Sequence, residues 1–449
     1  MKILWLTWKD RQHPQAGGAE VVNEELAKRL VADGHEVIFL VSGFDQGAAG
    51  SIVSGSALRA ARPSLTLPST TDPAAPQHSE AAGTLRSQNV GRRDGAGHRK
   101  NHQQGFSRFL RMQRAGGPTG DTHEEDFSRF PRILHPWGFT IIRVGGRFSV
   151  YWAAYKYYKA HLADWPDLVI DEMNTIPFFA KFYVKQKNIM LVHQLCREIW
   201  FYQMPFPISL IGYLLEPLYL RLLNDREVIT VSESSKRDLM RFGFTEDTIH
   251  IISEGIDDAP LPELAPKSLD HPLILTLGRV EPMKRTLDIL RAFEILKESV
   301  PAAKLAIVGY CHGAYGEKLR RLRDASKFKD DIVVTGPVTH DQKVAYLREA
   351  AVLAMTSVKE GWGLVVTEAA SQGTPSVVYN VDGLRDSVRD GHTGLVTKAN
   401  TPAALAQSLQ EILANQVTYE ATRQKAWRWS QEITFDASYR QLNQILSNV

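Results

Sequence analysis

Short apolar runs alternate with helical patterns along most of this chain, and this alternation restricts the fold more than any other feature. The first series comprises KILWLTW, an amphipathic helix with Val22, Leu26, Leu30 and Val31 on one face, HEVIFLVS, DLVIDE, NIMLVHQ and EVITVS. The second comprises PLILTLGRV, AKLAIVGY, DDIVVTGPV, AVLAMTS and PSVVYN. Apolar runs this short, each followed by a helix, are typical of buried parallel strands with right-handed crossovers. The sequence therefore predicts an α/β protein with two Rossmann-like parallel-sheet domains that face each other across a cleft.

The same pattern divides the chain into domains. We place the N-terminal domain at residues 1–255 and the second domain at residues 271–425. The stretch 256–270, which is rich in proline and acidic residues, links them. Residues 426–449 are expected to form C-terminal helices that pack back toward the N-terminal domain.

One region of the N-terminal domain lacks the pattern, from about Asp45 to about Pro136. Ala, Gly, Ser, Pro, Arg and His dominate it, and it contains no tyrosine or tryptophan. Such a segment buries too little apolar surface to offset the entropy lost on ordering, so we predict a disordered insert of low complexity at 45–136. The alternatives are a lid that docks on the cleft and a segment that binds an anionic membrane through GRRDGAGHRK.

Charge and cysteine content exclude several classes of protein. A formal net charge of +3 over 449 residues is too small to indicate a nucleic-acid-binding protein. Cys196 and Cys311 offer neither a disulfide framework nor a metal cluster, which suits a reducing compartment. The start MKILWLTW shows no signal-peptide pattern, and no run reaches the ~18–20 apolar residues of a membrane-spanning helix. We therefore expect a cytoplasmic protein, either free or at the cytoplasmic face of a membrane.

Polar residues follow two strands of the second series, where α/β proteins bind ligands. Arg279 and Lys284 come after LILTL, beside the start of the next helix, and two cations there form a good anion site. The stretch KEGWGLVVTEAASQG follows AVLAMTS and predicts a glycine loop that leads into a helix, with Glu360 in the loop and Glu368 in the helix. Its glycines, Gly361 and Gly363, allow the backbone to approach a ligand closely.

The first series has its own candidates at strand ends. Gly17 and Gly18 follow the first strand and open a helix, which is a turn compatible with phosphate. They do not spell the GxGxxG dinucleotide fingerprint, so a nicotinamide site is not expected. His193 ends NIMLVHQ, while Glu172 and Asn174 end LVIDEMN. Each alone is a weak signal, but cations, glutamates and glycines around one cleft suit a phosphorylated, polyhydroxylated ligand such as a nucleotide sugar.

Two motifs now allow a comparison with a known family. GRVEPMK, followed by KEGWGLVVTEAASQGTP, resembles the signature of retaining glycosyltransferase family 4, which has the GT-B fold. GGAE, VHQ, VSESSKRDL and ISEGID fit the same family in the same order, so the resemblance covers nearly the whole chain except the insert. It implies transfer of a sugar from a nucleotide-diphosphate sugar to a glycan or lipid-linked acceptor. It also implies no divalent metal and no cofactor.

The resemblance assigns roles to the residues that bind the donor. Glu368 would hold the ribose hydroxyls, and Glu360 would hold a hydroxyl of the donor sugar. Arg279 and Lys284 would neutralise the diphosphate as it departs. The loop residue Gly278 would belong to the same donor-binding set.

The remaining roles lie around the helix starts and on the first domain. By the same resemblance, the amides around Gly363 and Leu364, at the start of a helix, would place the positive end of the helix dipole at the diphosphate. His193 would line the sugar pocket, while Gly17, Gly18, Glu172 and Asn174 would lie on the phosphate or acceptor side. Two departures from the family remain: SEGID, which leaves the role of Glu254 open, and VGYCHGAYGEKL, which leaves the contacts to the nucleotide base open.

The acceptor side and the reaction class each retain alternatives. The segment Phe201–Leu223 is aromatic and apolar, and it is either a buried helix pair or an apolar ledge for a lipid-linked acceptor or a peripheral membrane contact. The competing functions are a nucleotide-sugar epimerase of the same fold and a non-catalytic nucleotide-sugar binder impaired by the insert. The Arg279, Lys284, Glu360 and Glu368 set argues against the epimerase.

Overall fold

The computed structural model describes residues 1–44, 132–256 and 258–448 of the chain. The insert predicted at 45–136 lies outside these residues, except for its last five positions. Two sheets account for the strands of the described part, one in each half of the chain. The prediction of an α/β fold with two parallel sheets is therefore confirmed.

The first sheet contains eight of the described strands in the order β3-β4-β2-β1-β5-β6-β7-β8. Each neighbouring pair is parallel except β3 and β4. The strands are β1 (Lys2–Leu6), β2 (Glu36–Ser42), β3 (Arg132–Leu134), β4 (Thr140–Val144), β5 (Leu168–Glu172), β6 (Lys187–Val192), β7 (Val228–Thr230) and β8 (Ile249–Ile251).

The second sheet contains six strands, all parallel, in the order β11-β10-β9-β12-β13-β14. The strands are β9 (Leu273–Leu277), β10 (Lys304–Val308), β11 (Ile332–Gly336), β12 (Val352–Met355), β13 (Ser376–Val378) and β14 (Gly394–Val396). Their side chains are mostly buried on both faces, as in a sheet covered by helices on each side.

Helices cover both sheets. They are α1 (Gly18–Ala32), α2 (Val150–Tyr157), α3 (Trp200–Gln203), α4 (Ile208–Leu223), α5 (Glu233–Met240), α6 (Thr286–Ser299), α7 (Gly313–Ala325), α8 (His340–Glu349), α9 (Leu364–Ser371), α10 (Pro402–Leu413), α11 (Gln416–Ser430) and α12 (Phe435–Asn448). Helix α1 shows why the sequence pattern works: Val22, Leu26 and Leu30 are buried against the first sheet, while Val31 is partly buried at the edge of the same face.

The prediction of an irregular chain up to Pro136 is wrong for its last residues. Arg132–Leu134 form the antiparallel edge strand β3, which pairs with β4 so that Arg132 lies opposite Ile142. Ile133 packs against the core of the first domain, and the Arg132 guanidinium donates two hydrogen bonds to the Tyr157 hydroxyl, at 3.0 and 2.7 Å. A strand of three residues carries too little periodicity to stand out beside a polar segment.

Helix α12 packs on the first domain although it follows the second in sequence. Its buried side chains join the core beside α1. Arg29 Nε donates to the Asp436 carboxylate over 2.7 Å, and the Tyr439 hydroxyl donates to Asp33 over 2.6 Å. Gly255 lies so close to the start of α12 that a Cβ there would be 2.3 Å from the Phe435 amide nitrogen. The chain thus passes from the first domain to the second at Gly255, and α12 returns from the second domain to pack on the first.

The aromatic and apolar segment Phe201–Leu223 forms α3 and α4. One face of α4 is buried, and Glu216, Leu220 and Leu223 lie on it. The opposite face is exposed and consists mostly of leucine and isoleucine, so the alternative of a buried helix pair is wrong. None of the helices in the described ranges combines the length and the apolar character that a membrane crossing requires.

Candidate active site

Two helix N-termini meet between the domains. Gly18 begins α1 in the first domain and Leu364 begins α9 in the second, and a Cβ at Gly18 would lie only 2.8 Å from Leu364 Cδ1. Gly363, the residue before α9, has a φ of +99°, which favours glycine. Because unpaired amide groups and the positive ends of two helix dipoles lie together here, this part of the cleft suits an anion.

The loop before α9 carries the predicted sugar ligand beside a cation. The Lys284 ammonium donates to Glu360 Oε1, and the Ser357 hydroxyl donates to the same oxygen over 2.5 Å. Lys284 lies at the end of a short 3₁₀ turn, Pro282–Lys284, directly after the loop that follows β9. The structure thus brings Lys284 and Glu360 together from positions 76 residues apart.

Arg279 lies on the same loop with a more exposed side chain. Its nearest ionic partner is Glu281, at 3.5 Å. Gly278 has a φ of +146° and lies beside Gly309, where a Cβ would be 2.2 Å from the Gly278 carbonyl oxygen. A small pocket opens here at the carboxyl ends of β9, β10 and β12, and its lining includes Gly278, Arg279, Lys284, Thr286 and Thr356.

His193 lies between two buried glutamates of the first domain. Its Nδ1 atom is 2.8 Å from Glu254 Oε1, and its Nε2 atom is 3.7 Å from Glu172 Oε1. Burial by itself lowers the pKa of His193, but the hydrogen bond and charge of Glu254 and the charge of Glu172 outweigh it, and the net direction is upward. The two carboxylates therefore stabilise the protonated ring relative to a histidine in water. The sequence leaves Glu254 without a role, and no local signal connects it to His193 because 61 residues separate them.

Glu172 acts as a fixed support for this histidine. Its Oε2 accepts hydrogen bonds from Trp5 Nε1 at 3.1 Å and from Asn23 Nδ2 at 2.6 Å, and its Oε1 accepts one from Asn174 Nδ2 at 2.9 Å. Burial raises the pKa of Glu172, while the neighbouring imidazole opposes that rise. The sequence predicts that Glu172 and Asn174 lie on the phosphate or acceptor side, and the structure places Glu172 behind His193 with Asn174 beside it.

Glu368 has a partner that the sequence analysis did not identify. Lys343 Nζ lies 3.2 Å from Glu368 Oε1 and 2.7 Å from Asp258 Oδ2. Burial lowers the pKa of Lys343, but the charges of Glu368 and Asp258 outweigh it and raise the pKa overall. Lys343 lies on α8, a polar helix whose charges look like an ordinary solvent-facing pattern, so no signal in the sequence singles it out.

Several contacts hold the domains together around the cleft. A Cβ at Gly361 would lie 2.8 Å from the His193 carbonyl oxygen, so the glycine loop of the second domain packs directly on the strand end of the first. Lys359, two residues earlier, forms a buried ion pair with Asp238 of α5. The Ser234 amide donates to Asp386 Oδ1 over 3.2 Å. These contacts bring the predicted residues His193, Glu360 and Gly361 to one place.

Some buried polar atoms of this region have no hydrogen-bond partner among the described residues. They include His193 Nε2, Gln194 Oε1, Trp362 Nε1 and Asn23 Oδ1. Buried polar groups normally have a partner, so atoms of this kind in a cleft indicate where a polar ligand or water binds. A second pocket lies next to Asn23 in the first domain, and its lining includes Lys9, Asp10, Arg11, Gln12 and His135.

Comparison with known proteins agrees with this arrangement. Residues 262–429 match the family described as Glycosyl transferases group 1. A D-inositol 3-phosphate glycosyltransferase of Xylanimonas cellulosilytica is 31% identical over 43% of this chain and 52% of its own length. The enzyme of the same name from Streptomyces coelicolor is 33% identical over 36% of this chain and 37% of its own. The chain thus spans about half or less of the length of these curated relatives.

Solved structures match nearly the whole chain at lower identity. Sucrose-phosphate synthase of Thermosynechococcus elongatus superposes with a TM-score of 0.67 at 17% identity, covering 100% of this chain and 98% of that one. Anabaena HepE, solved in complex with UDP and glucose, superposes with a TM-score of 0.62 at 15% identity and covers 100% of both chains. The protein has the GT-B fold, and its second half carries a Glycosyl transferases group 1 domain.

Proposed function

We propose that this protein is a retaining glycosyltransferase of family 4, which moves a sugar from a nucleotide-diphosphate sugar to a glycan or lipid-linked acceptor. The observation that carries the proposal is the meeting of α1 and α9 at Gly18 and Leu364, beside the Lys284–Glu360 pair. Two helix N-termini and a cation suit a diphosphate, and a carboxylate beside them suits a sugar hydroxyl. The names of the relatives support glycosyl transfer, and the UDP and glucose bound to HepE support a nucleotide-sugar donor.

The charges of the cleft act on the leaving group in this proposal. The bond between the anomeric carbon and the diphosphate oxygen breaks, and its electron pair stays on the diphosphate. Lys284 and Arg279, with the amides at Gly363 and Leu364, stabilise that growing charge, which takes the place of a divalent metal. Glu360 turns from Lys284 to a hydroxyl of the sugar when the donor binds.

The acceptor oxygen then bonds to the anomeric carbon on the face that the diphosphate left, so the configuration is retained. The acceptor proton passes to the departing diphosphate oxygen, which is the base nearest to it in such a geometry. We assign no protein nucleophile, because Glu360 serves as a hydroxyl ligand. His193, whose Nδ1 is held by Glu254, donates a proton from Nε2 to the sugar or its phosphate when the ring is protonated.

Glu368 and Lys343 bind the nucleoside half of the donor. Glu368 accepts from the ribose hydroxyls, and Lys343 orients the carboxylate. The pocket beside Asn23 and Lys9 receives the acceptor, since it lies on the first domain and its Asn23 side chain donates a hydrogen bond to Glu172. We place the reaction in the cytoplasm, where the two free thiols, Cys196 and Cys311, remain reduced.

A panel of nucleotide sugars tests the proposal. The purified chain is incubated with UDP-, GDP- and ADP-linked hexoses, and nucleotide release and the anomeric configuration of the product are followed by NMR. We expect release or transfer with at least one donor and an unchanged configuration. An epimerised nucleotide sugar, or binding of a donor without any turnover, would contradict the proposal.

A further inference from the structure

The exposed face of α4 is unusually apolar for a protein surface. Its outward residues are Ile208, Ile211, Leu214, Leu215, Leu218 and Leu222, each between 49% and 59% exposed. At 100° per residue they cover an arc of about 120° of the helix. The only exposed charge on this helix, Arg221, lies at the edge of that arc. A helix that is apolar on both its buried and its exposed side indicates a further contact.

The segment before α4 extends the same surface. Phe201, Tyr202 and Phe206 are exposed, Phe206 by 77%, and the Phe201 ring contacts Tyr213 of α4 with centroids 5.3 Å apart. We call the outward face of α4 together with Phe201, Tyr202 and Phe206 the apolar ledge. It presents leucine, isoleucine and aromatic side chains over the length of a helix of 16 residues.

The ledge is connected rigidly to the cleft. Glu216, on the buried face of α4, accepts hydrogen bonds from the amides of Cys196 and Arg197, both at 2.7 Å, and from Trp200 Nε1 at 3.1 Å. These residues follow His193 closely in the chain. Met283, the neighbour of Lys284 in the second domain, packs in the same cluster as Trp200. A surface that contacts the ledge therefore lies at a fixed position relative to the candidate active site.

Charge decides what covers the ledge. Between β4 and the end of α4, residues 145–224, eight lysines and arginines are not buried, against three such aspartates and glutamates. A second copy of this chain would bring the same positive excess against itself, whereas an anionic surface complements it. Two exposed aromatic residues of this region, Trp152 and Phe182, each carry a lysine near the ring, Lys156 and Lys181. Aromatic rings and basic side chains together are typical of a protein surface at a lipid–water interface.

We propose that the apolar ledge rests in the head-group region of an anionic bilayer and positions the cleft over it. The leucines and Phe206 enter the acyl boundary, while Arg221 and exposed lysines of the same segment contact lipid phosphates. This placement also indicates the acceptor class, a lipid-linked sugar acceptor in the same bilayer. The inference about the acceptor rests on the proposed function.

Vesicle binding by the full chain tests the ledge without any need for turnover. The protein is sedimented with vesicles of phosphatidylcholine alone and of phosphatidylcholine with phosphatidylglycerol. We expect binding to the anionic vesicles that weakens as salt is added. The double variant L214S/L218S should lower the partition coefficient about tenfold or more, because two leucines leave the apolar boundary. Since both side chains point outward, its thermal midpoint should equal that of the unchanged chain.

Matched controls separate the ledge from other surfaces. Val417 is 77% exposed on α11 of the second domain, and Val417→Ser should leave vesicle binding unchanged. Arg221→Glu should weaken binding to the anionic vesicles and leave the weak binding to phosphatidylcholine as it is. Hydrolysis of a nucleotide sugar in free solution should be equal in all variants, so a failure of the proposed function is recognised separately.

Three outcomes would overturn the proposal. The first is that the unchanged chain does not bind anionic vesicles. The second is that L214S/L218S binds them as well as the unchanged chain does, because the contact then belongs to another part of the chain. The third is a concentration-dependent dimer that light scattering detects and that L214S/L218S abolishes, because the ledge is then covered by a second copy.

Discussion

His193 Nδ1 and Glu254 Oε1 lie 2.8 Å apart, which joins the end of β6 to the chain crossing between the domains. Both side chains are buried, and the other ring nitrogen of the histidine, Nε2, lies 3.7 Å from Glu172 Oε1 and has no hydrogen-bond partner in the described residues. The Glu254 carboxylate at Nδ1 thus influences whether Nε2, on the other side of the ring, also carries a proton. The family resemblance offers no role for a glutamate here, so the role of Glu254 follows from this geometry alone.

Glu254→Gln should change the pH dependence of turnover. The carboxylate raises the pKa of His193, and so do Glu172 and Glu20, so the neutral amide moves that pKa downward. If the protonated ring is required, the alkaline limb of kcat/KM moves to lower pH. At a pH well above the pKa of His193, lowering that pKa by one pH unit reduces the protonated fraction of the ring about tenfold. The measurement is kcat/KM for donor hydrolysis between about pH 5 and 9.

The pH dependence of the free energy of unfolding tests the His193–Glu254 pair independently. Because the pKa of His193 is raised in the folded protein, its proton stabilises the fold below the pKa of an unfolded histidine, about 6.5. That contribution is lost as pH rises through the higher folded-state pKa. Glu254→Gln should flatten this part of the stability profile, whereas Glu263→Gln, at an exposed linker residue, should leave it unchanged. Identical profiles for both variants would exclude the proposed coupling.

The cations at the diphosphate should matter more for turnover than for folding. Lys284→Ala and Arg279→Ala are each expected to lower kcat on the order of 10²-fold or more, since each supplies a few kcal/mol at the transition state. Lys318→Ala, on the exposed side of α7, serves as the control and should have no effect. Chelators should leave activity intact. A strict requirement for added Mg²⁺ or Mn²⁺ would show that protein cations do not fill this role alone.

Substitutions of Glu360 and Glu368 should have different effects on nucleotide binding. Glu368→Gln should weaken binding of the free nucleoside diphosphate, because its proposed partner is the ribose. Glu360→Gln should leave that binding nearly unchanged but impair transfer, because its proposed partner is the sugar. Calorimetry with the bare nucleotide distinguishes the two variants, and equal losses for both would contradict the assignment.

Gly361 is expected to control closure of the cleft. A Cβ there would lie 2.8 Å from the His193 carbonyl oxygen, a backbone atom that cannot move aside easily. Gly361→Ala should therefore separate the domains at this point and lower kcat by about tenfold or more, while each domain stays folded. Small-angle scattering should show a larger radius of gyration. Gly146→Ala, where the nearest atom is 3.9 Å away, is the matched control.

Much of this architecture could be predicted from the sequence because its signals are local. The strand runs and the amphipathic pattern of α1 follow from buried apolar residues, and the strand–loop–helix pattern of Lys359–Gly373 follows from Gly363 and Gly373 at the ends of α9. Lys284 and Glu360 can be identified as site residues because each follows a strand whose carboxyl end borders the cleft.

The parts that could not be predicted depend on contacts between distant residues. Lys343 approaches Glu368, and Lys359 approaches Asp238, only after the sheets are assembled, and each looks like an ordinary surface lysine in the sequence. The exposure of the outer face of α4 could not be predicted because an apolar run does not reveal which of its faces a neighbour covers. The strand β3 could not be predicted because its three residues follow a long segment without periodicity.

The end of β2 and the start of β3 lie on the two strands that flank β4. Ser42 is opposite Val144, and Arg132 is opposite Ile142. Two strand spacings separate the chains, about 10 Å. A linker of about four residues spans that distance, so residues 45–131 are not needed to connect β2 to β3.

Replacing residues 45–131 by a linker of about four residues should therefore preserve the fold and the affinity for the donor, if the sequence-based prediction of a disordered insert holds. Loop closure depends only weakly on length, so the free energy of unfolding should rise slightly or stay equal. Extending the deletion through Pro136 should cost about 1–3 kcal/mol more, because it removes the packing of Ile133 and the hydrogen bonds of Arg132 to Tyr157. Urea denaturation of the two variants measures the difference. If the shorter deletion fails to fold, residues 45–131 contribute to the core and the prediction of a dispensable insert is wrong.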